Sequence, residues 1–115
     1  MAMSRELALK IVLGFAGVIF LSMAYPMFAL VRQAPTLSMM MSLYATLGVF
    51  LLLAIRNPSA HRSLIAFTAW SSFAHGILMG TQALLNLVER GELIGVAVLL
   101  VIGVALIALS PPKPA

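Results

Sequence analysis

The chain has 115 residues, enough for one small domain. Apolar residues make up 63% and charged residues 9%, against roughly 45–50% and 25% in a typical soluble protein. A soluble fold of this size keeps about a third of its surface in water; seven Lys/Arg and three Glu cannot cover that surface, so the composition excludes a soluble domain and requires an integral membrane protein. The net charge of +4 does not point to nucleic acid, because the basic residues stand singly at segment ends with no aromatic interleaving. The absence of cysteine excludes disulfides, thiolate metal sites and cysteine nucleophiles.

A spanning helix needs ~20 mostly apolar residues, and four segments meet this. The first runs from about Ile11 to Val31, after Arg5, Glu6 and Lys10. Ser22-Met23-Ala24 resembles a signal-peptide cleavage site, but the apolar run continues past it to Val31, which reads as an uncleaved first helix. Pro26 cannot donate to the Ser22 carbonyl, so this helix should bend and leave that acceptor pointing into the bundle. Arg32-Gln33-Ala34-Pro35-Thr36 separates it from the second span, Leu37 to Ile55.

Arg56-Asn57-Pro58-Ser59 leads to the third span, about Ser63 to Leu87, with Asn57 suited to cap a helix and Pro58 to begin it. Glu89-Arg90-Gly91-Glu92 follows, with Gly91 placed to end the third helix. The fourth span runs from about Leu93 to Leu109, and a Pro-rich tail occupies 110–115. Ile94-Gly95-Val96-Ala97 recurs as Ile102-Gly103-Val104-Ala105, a small-residue spacing along one helix. Short connections make consecutive helices antiparallel neighbours. The expected fold is an all-α, single-domain four-helix membrane bundle running up-down-up-down. With the N-terminus in the cytoplasm, Arg5, Lys10, Arg56, Arg62 and Lys113 lie inside and Arg32 and Arg90 outside. That bias puts both termini on the cytoplasmic side.

The third span carries the chemical information. At 100° per residue, His61, Thr68, Ser71, Met79, Gln82, Asn86 and Glu89 fall within about 40° of His75. Phe67, Trp70, Phe73, Ile77, Leu84 and Leu85 lie opposite, facing lipid or another subunit. Ala69, Ser72, Gly76, Gly80 and Ala83 lie between; Gly76 and Gly80 have the GxxxG spacing of closely packed helices, within the bundle or across a homodimer. His75 falls near the bilayer midplane, where an unsatisfied polar group costs several kcal/mol. The stripe must therefore face the bundle interior, a partner or water. Tyr25 and Ser22 on the first span, and Ser38, Ser42 and Thr46 on the second, are its expected partners. The fourth span has no polar side chain and reads as a packing or lipid-facing wall.

His75 is either a hydrogen-bonded register residue, a proton-responsive group in a transport path, or a ligand to haem or a quinone headgroup; no cofactor is required. The methionines, including consecutive Met39-Met40-Met41, point in different directions and read as apolar packing. Glu89, Arg90 and Glu92 read as an exposed turn. No Ser/His/acid arrangement, HExxH or phosphate loop is present, which points to a non-enzymatic protein. Four helices in this length are similar to the small multidrug resistance transporters, but the first span lacks their membrane-embedded Glu; the polar track and dual topology of the fluoride channels are not matched either.

Leu51-Leu52-Leu53-Ala54-Ile55-Arg56-Asn57-Pro58-Ser59-Ala60-His61-Arg62-Ser63-Leu64 and Ala69-Trp70-Ser71-Ser72-Phe73-Ala74-His75-Gly76 resemble stretches of the uncharacterised, DoxX-like small bacterial four-helix membrane proteins. The resemblance implies a multi-pass protein of the bacterial inner membrane and supplies no reaction and no site residues. The expected role is an oligomeric or accessory subunit that binds other membrane components. A transporter or channel with a path along His75, Ser71, Gln82 and Tyr25, and a haem- or quinone-binding redox subunit, are the alternatives.

Overall fold

The structure, a computed structural model, describes residues 4–111. Lys113 and the end of the Pro-rich tail lie outside the described residues. Among the described residues there are helices and no strands: α1 (Arg5–Leu21), α2 (Ala24–Ala29), α3 (Pro35–Ala54), a 3₁₀ turn (Pro58–His61), α4 (Arg62–Leu84) and α5 (Glu92–Leu109). Four stretches are long and apolar enough to cross a membrane: Arg5–Ala29, Pro35–Ala54, Pro58–Leu84 and Glu92–Leu109. They correspond to the four expected spans, and their composition and length make this a multi-pass membrane protein. The contacts divide the chain into two compact units, one ending at Ala60 and the other beginning at His61.

The first unit contains α1, α2 and α3. α1 starts earlier than hydrophobicity alone indicates, because Ser4 caps it: the Leu7 N–H donates to Ser4 Oγ at 3.0 Å. Glu6 in its first turn has the sign the helix dipole favours. Glu6 also pairs with Lys10 at 3.8 Å, an exposed contact of little energetic weight. The expected bend is a full break. At Ser22 and Met23 the chain leaves α1, and Pro26 sits in the first turn of α2, where its missing N–H costs least. The Ser22 carbonyl does not point free into an interior as expected; it accepts from the Tyr25 N–H at 3.3 Å. Pro35 begins α3 in the position where proline suits a helix.

α1 and α3 pack antiparallel. Phe20 meets Tyr44 edge to face with centroids 5.1 Å apart. Leu9, Leu13, Ala16 and Phe20 from α1, with Ala45, Leu51 and Ala54 from α3, are buried. The closest approach is at Gly48: a methyl there would stand 2.5 Å from the Leu21 backbone nitrogen and 2.7 Å from the Gly17 carbonyl oxygen. Only a residue without a β-carbon lets the two backbones meet in this way.

The second unit contains α4 and α5, also antiparallel. Asn57 and Pro58 do start a helical turn, but it is the 3₁₀ turn, and α4 proper begins at Arg62. At the same end the Arg62 Nε donates to the Pro111 carbonyl at 3.0 Å, tying the start of α4 to the chain just beyond α5. Along the seam, Val96, Leu99, Ile102 and Leu106 of α5 are buried, as are Ile65, Ala69 and Ala83 of α4. A methyl at Gly103 would meet the Phe73 ring at 2.8 Å and the Ala69 carbonyl at 3.1 Å.

Candidate functional site

The polar face of α4 is the candidate site, and its helical extent decides which residues belong to it. α4 ends at Leu84, three residues short of the expected boundary. The terminator is Asn86, not Gly91: Asn86 has φ of 61°, the left-handed conformation that asparagine tolerates better than most residues. Its N–H donates to the Ala83 carbonyl at 3.1 Å and the Leu87 N–H to the Gln82 carbonyl at 2.8 Å. These two bonds form a Schellman motif, which satisfies carbonyls left over at the helix end. Gly91 instead stands in the N-cap position of α5 with ordinary helical φ and ψ. Asn86 and Glu89 therefore leave the stripe, as does His61, which lies in the 3₁₀ turn.

What remains on α4 is Thr68, Ser71, His75, Met79 and Gln82. Thr68 is fully buried and donates to the Leu64 carbonyl at 2.8 Å. Ser71 donates to the Thr68 carbonyl at 3.2 Å. His75 and Gln82 are half-buried. Ser72, one step around the helix, is 1% exposed, and its Oγ has no hydrogen-bond partner. Met79 turns toward α5: its Cε lies 3.6 Å from the position a methyl at Gly95 would take.

The expected partners from the first two spans belong to the other unit. Tyr25 is 83% exposed, against the expectation of an inward hydroxyl, because the break before α2 resets its direction. Ser22 is exposed and donates to the Ile19 carbonyl. Ser42 and Thr46 are exposed and donate to the Met39 carbonyl at 2.6 Å and the Ser42 carbonyl at 2.9 Å. Ser38 departs from that line: it is buried and donates across to the Met27 carbonyl in α2 at 2.9 Å. The structure thus gathers Thr68, Ser71, His75 and Gln82 on one helix. It leaves Tyr25, Ser42 and Thr46 as exposed groups of the first unit. Among the described residues, no three His, Asp or Glu side chains gather as metal ligands.

The glycines on α4 are unequal. A methyl at Gly76 would come within 3.3 Å of Leu100 Cδ2, whereas at Gly80 it would sit at an ordinary 3.7 Å from Val96 Cγ1. The tightest positions, Gly48, Gly17 and Gly103, were not singled out by the GxxxG spacing; the repeated small-residue pattern of the fourth span is the signal that contained Gly103. On the opposite face, Phe67, Trp70, Ile77 and Leu84 are exposed as expected. Phe73 is the exception, being half-buried with its ring edge over Gly103.

Comparison with known proteins adds a family but no reaction. No curated protein and no solved structure matches the chain. Nothing links it specifically to the DoxX-like proteins. Residues 4–111 match DUF6632, a family of unknown function, and the chain belongs to that family.

Proposed function

We propose that this protein is a small, non-enzymatic membrane subunit that acts by lateral association, as an oligomer or as an accessory to a larger membrane complex. The observation that carries this reading is the fate of its hydroxyl groups. Ser22, Ser42, Thr46, Thr68, Ser71 and Thr81 each donate to a carbonyl three or four residues earlier in the chain. Such back-bonding satisfies a hydroxyl proton in a medium without water. A path for an anion or another hydrogen-bond acceptor would need those protons directed at the passing solute. Hydroxyls already bonded to their own helices favour packing and assembly over conduction.

In this reading the two units complete an up-down-up-down four-helix bundle in a bacterial inner membrane, with both termini cytoplasmic. The charges support that orientation. Gly14 packs near Ile55, so Arg5 and Lys10 share an end of the first unit with Arg56. Arg62 begins α4 directly after the 3₁₀ turn that follows. His75 and Gln82 supply hydrogen bonds that fix helix register or a partner's position. Native mass spectrometry from mild detergent tests the proposal. An oligomer or a stoichiometric co-purifying partner is expected; a strictly monomeric, partnerless protein would overturn it.

A transport role remains the second reading, favoured by the half-buried imidazole of His75 in the middle of α4. It predicts flux in liposomes that falls when His75 is replaced by alanine, and unchanged flux removes it.

A further inference from the structure

We infer that α2 is a hinged segment, with its pivot at Ser22–Met23 and a latch formed by Ser38 of α3. Three observations within the first unit carry this. The first concerns the pivot, which is satisfied by its own neighbours. The Met23 N–H reaches back only to the Phe20 carbonyl, at 3.1 Å, and the Tyr25 N–H only to the Ser22 carbonyl, at 3.3 Å. The Ile19 carbonyl, which Met23 would occupy in a continuous helix, accepts from Ser22 Oγ. These bonds are local to the joint and do not involve α3, so a change there leaves the α1–α3 packing intact. Pro26 prevents the α-helical ladder from closing over it.

The second observation is the exposure of the aromatic residues of α2. None of its six residues is buried. Tyr25 and Phe28 are 83% and 73% exposed. The packing of α2 is its contact with α3, with Ala24, Pro26 and Met27 half-buried.

The third is the latch. Met27 carries one of the last carbonyls of α2, which have no helical partner of their own. Ser38 Oγ donates to it at 2.9 Å. Ser38 is 8% exposed, so this bond is shielded, whereas the aromatic rings it holds in place are not. It joins residues 11 apart in sequence and closes the turn between α2 and α3. Opening the latch would free α2 to swing about Ser22–Met23 and re-aim Tyr25 and Phe28 while α1 and α3 keep their packing around Gly48. The fold thus holds a two-position aromatic segment at one end of its first unit.

Hydrogen–deuterium exchange in detergent micelles tests the inference on the intact protein. Ser38→Ala should speed exchange at the amides of Met27 and Leu30 by about 2- to 12-fold, the range set by loss of one ordinary hydrogen bond. Amides of α1 and α3 should be unchanged. Ser38→Thr, which keeps the hydroxyl, should restore slow exchange, and Pro26→Ala should slow exchange across Ser22–Met27 by letting the helix close. Equal acceleration throughout the first unit in Ser38→Ala would make Ser38 a general stability residue and overturn the latch. Unchanged exchange at Met27 and Leu30 would do the same.

Discussion

The two units solve one problem in two ways. Each must hold apolar helices together without help from the hydrophobic effect, since lipid is as apolar as the helix surface. The first unit brings backbone against backbone at Gly48, with Leu21 and Gly17 opposite. The second brings a side chain into the gap, with the Phe73 ring over Gly103. The first also breaks one of its helices and spans the break's far side with a single shielded hydroxyl bond. The second keeps α4 continuous for 23 residues and concentrates its polar side chains there. Both units use side-chain contact, at Gly17 against Leu52 and at Gly103 against Phe73, and the jointed unit adds the backbone-to-backbone approach at Gly48.

Substitutions at the two seams should separate these modes. Gly48→Ala is expected to be the most damaging, because the new methyl meets main-chain atoms that cannot move aside; a loss of about 3 kcal/mol is expected from overpacking of this kind. An SDS titration of the folded protein reads it directly, and an unchanged midpoint would mean that the helices separate without penalty. Gly103→Ala should cost less, about 1–2 kcal/mol. Part of that loss should return in Gly103→Ala/Phe73→Leu, because a ring can be replaced where a backbone cannot. No recovery would assign the clash to the Ala69 carbonyl, 3.1 Å from the new methyl, and erase the contrast between the units.

Ser72→Ala should be neutral or stabilising by up to about 1 kcal/mol, since it removes a buried hydroxyl that has no partner. Marked destabilisation would show that Ser72 bonds to something in the membrane-embedded protein. Gly80→Ala should change stability least, within about 0.5 kcal/mol, because its methyl enters ordinary contact space. A large loss there would restore Gly80 as a close-packing position.

Much of the architecture was legible from composition. Runs of ~20 apolar residues located all four spans; Pro26 marked a bend that is a full break, and Pro35, read as part of a connection, begins α3. Local chemistry was harder to read. The end of α4 looked like the work of Gly91, yet Asn86 took the left-handed position, because any residue able to adopt positive φ competes for that role. That shift removed Asn86 and Glu89 from the stripe around His75. The inward placement of Tyr25 assumed a bent but continuous first helix, and the break at Ser22–Met23 invalidates the angular bookkeeping beyond it. The line of Ser38, Ser42 and Thr46 looked uniform by spacing, but Ser38 donates across to α2 while Ser42 and Thr46 donate within α3. Helical spacing reports the face a residue occupies. It does not report which carbonyl its hydroxyl will choose.

In the proposed role the protein works by associating with other membrane chains. Because the chain contains no cysteine, single cysteines can be introduced against a clean background. Val18, Leu43, Ile77 and Ile94 are suitable positions, each exposed and drawn from a different long helix. Oxidative cross-linking of these variants in native membranes should trap dimers or a defined partner adduct at some positions and not at others. Monomer at every position, under conditions that cross-link a known membrane dimer, would contradict the account.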